Sequence, residues 1–383
     1  MVMPADIVLP TAEQELWRYS RIGELDLGSY SVGAVTTTVS GDAAVVSHES
    51  RLALADVSVE AADVFEQLHA LHTAPGTRDK ASDVARSGVV RVGTSRGQAI
   101  ADPILVTHHV HDSGILGFPS LEIDAAENSE VTVVERFVSG DSCRSLIVPL
   151  VKIRAAQAAR VTYVAINELG EGTWLIGYQR ALGERDSTIS TSTIALGGDY
   201  ARIRAGVRLV GQGASAKQVA LYFADGTQMH DFRTLQDHAA PRTHSDLLFK
   251  GAVKDHAKSV YTGLIKIRDN ADKSEAFQTN RNLTLSSGSW AESVPNLEIE
   301  TNDVKCSHAS TVGPIDDEQR FYLESRGIRP EIAERLVVFG FFADVINRLP
   351  AAAQPDALRD KVGRKLLGAA KGGAVVGGTG VRA

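Results

Sequence analysis

Ala201-Arg202-Ile203-Arg204-Ala205-Gly206-Val207-Arg208-Leu209 alternates with period two. That period places Ile203, Ala205, Val207 and Leu209 on one face of a strand and Arg202, Arg204 and Arg208 on the other. Short β-rich runs of similar character surround it at residues 131–134, 161–166, 173–178, 219–223, 247–249, 260–267 and 283–285. Gly170, Gly197-Gly198, Gly211, Gly213, Asp225-Gly226 and Asp269-Asn270 punctuate them. The spacing is irregular, roughly 10 to 18 residues, and no helical pattern falls between runs. A doubly wound α/β sheet needs such helices and is disfavoured. A sandwich, a barrel and a β-solenoid remain. Many short strands with variable turns between residue 89 and about residue 310 fit a β-helix, in which each coil buries its inner face on its neighbours. No strict sequence repeat is visible, so periodicity alone leaves that choice open.

The flanks read differently. Residues 1–86 form a mixed or helical region, with expected helices at 12–19 and 59–72; the second carries the stripe Ala62, Phe65, Leu68, Ala70 and Leu71 and stops at Pro75-Gly76. The β core spans 87–313 and a helical domain 314–383. Asp316, Asp317 and Glu318 put negative charge at a helix start, Phe321, Tyr322 and Leu323 follow, and Gly327 ends the element. Pro330 suits the first position of a second helix, whose apolar side includes Ile332, Leu336, Phe339, Val345 and Ile346 and which Pro350 closes. A third helix is expected from 355 to 367, and the Gly/Ala-rich tail from 368 is expected to be disordered.

The 383 residues are 43% hydrophobic and 23% charged, ordinary for a globular chain with a sizeable core. A net charge of −7 argues against nucleic acid as a partner. No apolar run reaches the length of a bilayer span, so no membrane association is expected. The first 16 residues lack the basic start and apolar block of a signal peptide, and a cytoplasmic location is expected. Cys143 and Cys306 lie far apart and neither belongs to a CxxC pair, so neither a disulfide framework nor a self-contained metal site is indicated.

One stretch carries candidate chemistry. In Pro295-Asn296-Leu297-Glu298-Ile299-Glu300-Thr301, Leu297, Ile299 and Thr301 share one parity; in Asn302-Asp303-Val304-Lys305-Cys306-Ser307-His308, Val304, Cys306 and His308 share the other. The change falls at the turn-prone pair Asn302-Asp303. Cys306 and His308 then sit on one strand face with Cα atoms roughly 7 Å apart. A thiol and an imidazole can both reach one soft metal ion or one sulfur atom, but two donors do not complete a four-coordinate site. The other donors must come from elsewhere, most simply from another chain.

The C-terminal half contains an ordered set of motifs. His238, Pro241, Thr243, Ser245 and Asp246 form HxxPxTxSD, followed by Lys250-Gly251. Gln278, Asn280-Arg281-Asn282 and Leu283 lead to Ser286; then come Glu298-Ile299, Asp303-Val304-Lys305-Cys306-Ser307-His308, Thr311-Val312-Gly313, Asp316-Asp317-Glu318, Phe321-Tyr322-Leu323, Ser325-Arg326-Gly327-Ile328 and Gly340-Phe341. Near the N-terminus, Glu15-Leu16-Trp17-Arg18-Tyr19 echoes an EEWRY-like segment. The set resembles the SufB/SufD family of iron–sulfur cluster assembly scaffold subunits, in its SufD branch. The resemblance implies a right-handed parallel β-helix flanked by N-terminal and C-terminal helical regions. It implies a non-enzymatic subunit that pairs with a SufB-like paralogue through the β-helix and binds a SufC-like ATPase through its C-terminal helices. It implies a transient iron–sulfur cluster at the paralogue interface, with His308 and Cys306 as the metal-proximal residues. Reduced flavin is linked to such complexes, though no motif here locates it, and the isolated chain can form a homodimer. The SufB branch carries a sulfur-accepting cysteine where this chain reads Asn280-Arg281-Asn282. That departure counts against the rival reading, a self-sufficient SufB-like scaffold. A second rival is a β-helix enzyme acting on polysaccharide, but no acidic pair on neighbouring runs supports it.

Several further signals have bland readings. Cys306 alone can be a small buried hydrophobe and His308 a hydrogen-bonded structural residue. His109 and His111, with Asp112 following, invite a metal test but also fit a polar edge. Cys143 reads as filler near a turn. Arg202, Arg204 and Arg208 read as a solvated outer face. The glycine-rich tail lacks a GK[ST] ending, so no nucleotide is expected on this chain itself. Phe339, Phe341 and Phe342 lie on a helix that is apolar nearly all round, and they are the expected docking residues for the ATPase.

Overall fold

The computed structural model describes residues 8–49 and 89–367. The expected helix at 59–72 and the expected disordered tail from 368 lie outside the described residues. The core is a parallel β-solenoid of about eight turns. Successive strands alternate between two sheets. Sheet 1 contains Tyr200–Leu209, Met229–His238, Lys258–Ile267 and Trp290–Ile299; sheet 2 contains Ser215–Ala224, His244–Val253, Glu275–Thr284 and Lys305–Gly313. In sheet 1, Tyr200 pairs with Met229, Met229 with Lys258 and Lys258 with Trp290, so a coil is 29 to 32 residues long.

The register explains the alternation seen in the sequence. Ile203, Ala205, Val207 and Leu209 point into the lumen, and the parallel ladder stacks their equivalents coil upon coil. At one corner of each coil a residue takes a left-handed conformation: Gly97, Asn128, Ala158, Asp186, Gly213, Arg242 and Lys273, with φ between 55° and 76°. Each donates its backbone N–H to a carbonyl one coil further on: Glu127, Gln157, Arg185, Gln212, Pro241, Asp272 and Asp303 respectively. The corners therefore form a ladder of their own, and its last acceptor is the Asp303 of the parity break. Gly251 is needed for a different reason: a Cβ there would collide with the Tyr222 ring.

The two ends of the solenoid differ. At the N-terminal end Thr36–Ser40 pairs antiparallel with Ile104–Val110, and Val46–Glu49 pairs antiparallel with Val89–Gly93, covering both sheets. At the C-terminal end Trp290–Ile299 and Lys305–Gly313 each pair on one side only among the described residues.

Two segments pack on the outside. Helix α1 (Asp317–Ser325) is N-capped by the Asp316 carboxylate, which accepts from Glu318 N and Gln319 N. Helix α2 (Pro330–Arg348) begins with its proline, and α3 (Pro355–Leu367) follows Gln354. Val338, Phe342, Val345, Leu358 and Val362 seal against the outer face of sheet 2 at Val219, Leu221, Phe223 and Leu248. On sheet 1 lies the N-terminal segment. Residues 12–19 are not the expected helix; only a single 3-10 turn forms, at Glu15–Trp17. The segment is instead held by side chains from the sheet. Arg202, read from sequence as solvated, is 3% exposed, lies 4.0 Å over the Trp17 ring and donates to the Leu16 carbonyl. Arg233 donates to the Arg18 carbonyl at 2.8 Å, and the fully buried Asp231 carboxylate accepts from Arg202, Arg233 and Tyr200. Arg208 does remain half exposed, facing Asp237.

Two predictions follow from this packing. Asp231→Ala leaves two buried guanidinium groups uncompensated and should cost about 3–5 kcal/mol in denaturant unfolding. His238 is buried and neutral, pushed down to about 4 from 6.5 chiefly by burial, and His230 is pushed down to about 3, again chiefly by burial. The unfolded chain takes up protons that these folded imidazoles refuse, so their contribution to stability is lost as pH falls from about 6.5 toward 4 for His238 and toward 3 for His230. Urea unfolding between pH 7 and pH 5 should show that loss, and His238→Gln should flatten the slope.

Candidate cluster-proximal site at the open end of the solenoid

The last coil has an inner face, and no further coil covers it among the described residues. Cys306 continues the row Ser245, Ala276; His308 continues the row Leu247, Gln278; both rows face the lumen. Cys306 is half-buried beside Val304, against Ile265, Ile267, Ala271 and Ala276. His308 is exposed. Across the mouth Leu297 is 39% and Ile299 42% exposed although both lie on the inward parity of their strand, as is Val312 at 41%. A ten-residue and a nine-residue edge strand thus present unpaired backbone groups and apolar side chains together.

Burial favours the neutral thiol of Cys306, raising its pKa. A metal ion at the mouth would reverse this, because a coordinating thiol loses its proton. Among the described residues no three His, Cys, Asp or Glu side chains converge in a way that can hold a metal ion. Cys306 and His308 therefore offer donors but not a coordination sphere.

The family-like motifs fall where they shape the coils beneath this mouth. His238 sits between Thr243 Oγ1 (Nδ1, 2.7 Å) and Ser245 Oγ (Nε2, 2.8 Å), tying strand to strand across the corner that contains Pro241 and the left-handed Arg242. Asn280 and Asn282 face inward and close a network: Asn282 Nδ2 donates to Asn280 Oδ1 at 2.8 Å, Asn280 Nδ2 to Tyr222 OH at 3.0 Å, and Tyr222 OH to Asn282 Oδ1 at 2.6 Å. Arg281 between them is exposed, in line with Lys250 and Thr311.

The aromatic helix needs a correction. Phe342 is fully buried and packs 6.4 Å from Phe223, so it belongs to the core and cannot meet a partner. Phe339 and Phe341 are partly buried against the same cluster. The exposed apolar surface lies instead at Phe321 (72%) and Tyr322 (58%) of α1 and at Ile332 and Leu336 of α2. Between α1, α2 and sheet 2 runs a groove of about 880 Å³ bordered by Tyr322, Leu336, Phe341 and Arg281. The sequence held a signal for this: the aromatic pair Phe321-Tyr322 sits in a short helix whose other residues, Leu323 apart, are polar or charged.

The remaining sequence candidates resolve as structural. His108 is buried, with Nε2 2.9 Å from Glu135 Oε1 and Nδ1 2.8 Å from Thr37 Oγ1. His109 and His111 stack at 5.7 Å, with no third metal-binding side chain converging on them among the described residues. The buried Cys143 thiol donates to the Asp112 carbonyl at 3.3 Å.

Comparison with known proteins identifies the family. The family model described as "SUF system FeS cluster assembly, SufBD core domain" matches residues 108–341. An iron–sulfur cluster assembly SufBD family protein of Mycobacterium tuberculosis is 32% identical over 360 residues, covering 89% of this chain and 85% of that protein. A SufBD family protein of Mycobacterium leprae is 38% identical over 270 residues, covering 68% and 67%. The iron–sulfur cluster assembly protein SufD of Escherichia coli is 30% identical over 289 residues, covering 74% and 68%. With the model match spanning more than half of its length, this chain belongs to the SufBD family of the SUF iron–sulfur cluster assembly system.

Proposed function

We propose that this chain is a non-catalytic scaffold subunit that pairs, through the open end of its solenoid, with a SufB-like paralogue. The observation that carries the reading is the asymmetry of the two ends: one is covered by antiparallel strands, and the other ends in two long edges with apolar inward residues. A second solenoid that continues both sheets would satisfy the edge backbone groups and cover Leu297, Ile299 and Val312 in one step. Cys306 and His308 would then lie in the seam, where donors from the paralogue complete the sphere around a nascent iron–sulfur cluster, the cargo of the assembly.

The exposed aromatic surface of α1 and α2 receives the SufC-like ATPase. Because α2 packs directly on sheet 2, a pull on these helices during ATP-driven dimerisation is transmitted to the solenoid that forms the seam.

His308→Ala should abolish cluster formation on the reconstituted complex while the subunit ratio after co-purification stays unchanged; a cluster that still forms, followed by absorbance under anaerobic conditions, would remove His308 from the site. Leu297→Lys or Ile299→Lys should weaken pairing with the paralogue at least tenfold, about 1.4 kcal/mol, since each buries a charge in the seam. Size-exclusion chromatography of mixed subunits reads this directly.

A further inference from the structure

Not all of the lumen is apolar. Gln179, Gln218, Gln236 and Gln278 point into it, and none is more than 4% exposed. Nε2 of Gln179, Oε1 of Gln236 and both amide ends of Gln218 and Gln278 meet no hydrogen-bond partner in the protein. Native interiors rarely keep such groups unpaired, and ordered water is the usual partner when the protein supplies none. The neighbouring asparagines make the contrast clear: Asn280 and Asn282 satisfy each other and Tyr222, as described above.

Space and orientation favour water. A void of about 30 Å³ lies beside Gln179, lined also by Glu135, Tyr163 and Thr193; that is room for at least one water molecule. The Gln236 amide is fixed in orientation, because its Nε2 donates to the Phe277 carbonyl, which only accepts, at 3.3 Å as well as to Ser245 Oγ at 2.7 Å, so its Oε1 must face a donor. Gln278 reaches across the lumen to sheet 1, where Gly263 leaves room for it: a Cβ at that glycine would lie within 2.6 Å of both amide atoms. Gln218 and Gln278 belong to one inward row, Thr191, Gln218, Leu247, Gln278, His308.

We infer that the lumen binds ordered water, held on these four glutamines, with its last site in the coil beneath His308. The occupant is neutral because the amides carry no charge and the nearby Glu135 carboxylate is already engaged by His108 and Tyr163. The inference is independent of any partner at the open end.

Magnetic relaxation dispersion of water deuterons and oxygen-17 on the full chain counts long-lived internal waters. The wild type should show them, and Gln218→Leu and Gln278→Leu should each release at least one. High-resolution diffraction of the wild type should place water within hydrogen-bond reach of the Gln218 and Gln278 amides, and this measurement decides alone if a variant fails to fold. A dry lumen, amides turned onto protein partners, or folded variants with an unchanged water count would each overturn the inference.

Discussion

Every feature of this molecule depends on the coil-to-coil hydrogen bond. Strand ladders run through both sheets in fixed register, and the corner N–H groups from Gly97 to Lys273 extend the same pairing into the turns. A coil therefore has no independent geometry; its inner face and its corners are complete only when the next coil is in place. The N-terminal end meets this demand with antiparallel cover, and among the described residues the C-terminal end has no such cover. The candidate site is a direct result: Cys306 and His308 are inward residues on a coil with no successor among the described residues.

The strand class was legible because burial on one face imposes period two, and the runs at 201–209 and 260–267 carry it plainly. The repeat was not legible, and the corners show why. The left-handed position falls on glycine only at Gly97 and Gly213; elsewhere it is Asn128, Ala158, Asp186, Arg242 or Lys273. Backbone pairing over-determines those turns, so the sequence need not spell them with glycine. The same applies to Arg202. Its alternation with Ile203 gave the correct face, but only the fold reveals that a distant segment covers that face.

The placement of the candidate site was partly legible too. The parity of Cys306 and His308 is local, and the structure keeps them on one face. Their exposure is not local, because it reflects a missing neighbour. For the helices the reverse error arose. An all-round apolar helix marked Phe342 as available, but sheet 2 supplies an outer apolar face that absorbs it, leaving the shorter α1 with the unburied aromatics.

The N-terminal clamp has a consequence for the order of events during synthesis. Leu16 waits for Arg202, 186 residues later, and Arg18 for Arg233, 215 residues later. At a translation rate of about 5–20 residues per second, the segment bearing Leu16 and Arg18 is made about 10–40 s before these two anchors. That clamp closes only once the coils bearing Tyr200, Arg202, Asp231 and Arg233 have wound, so an early-made segment is a late-arriving piece of the tertiary structure.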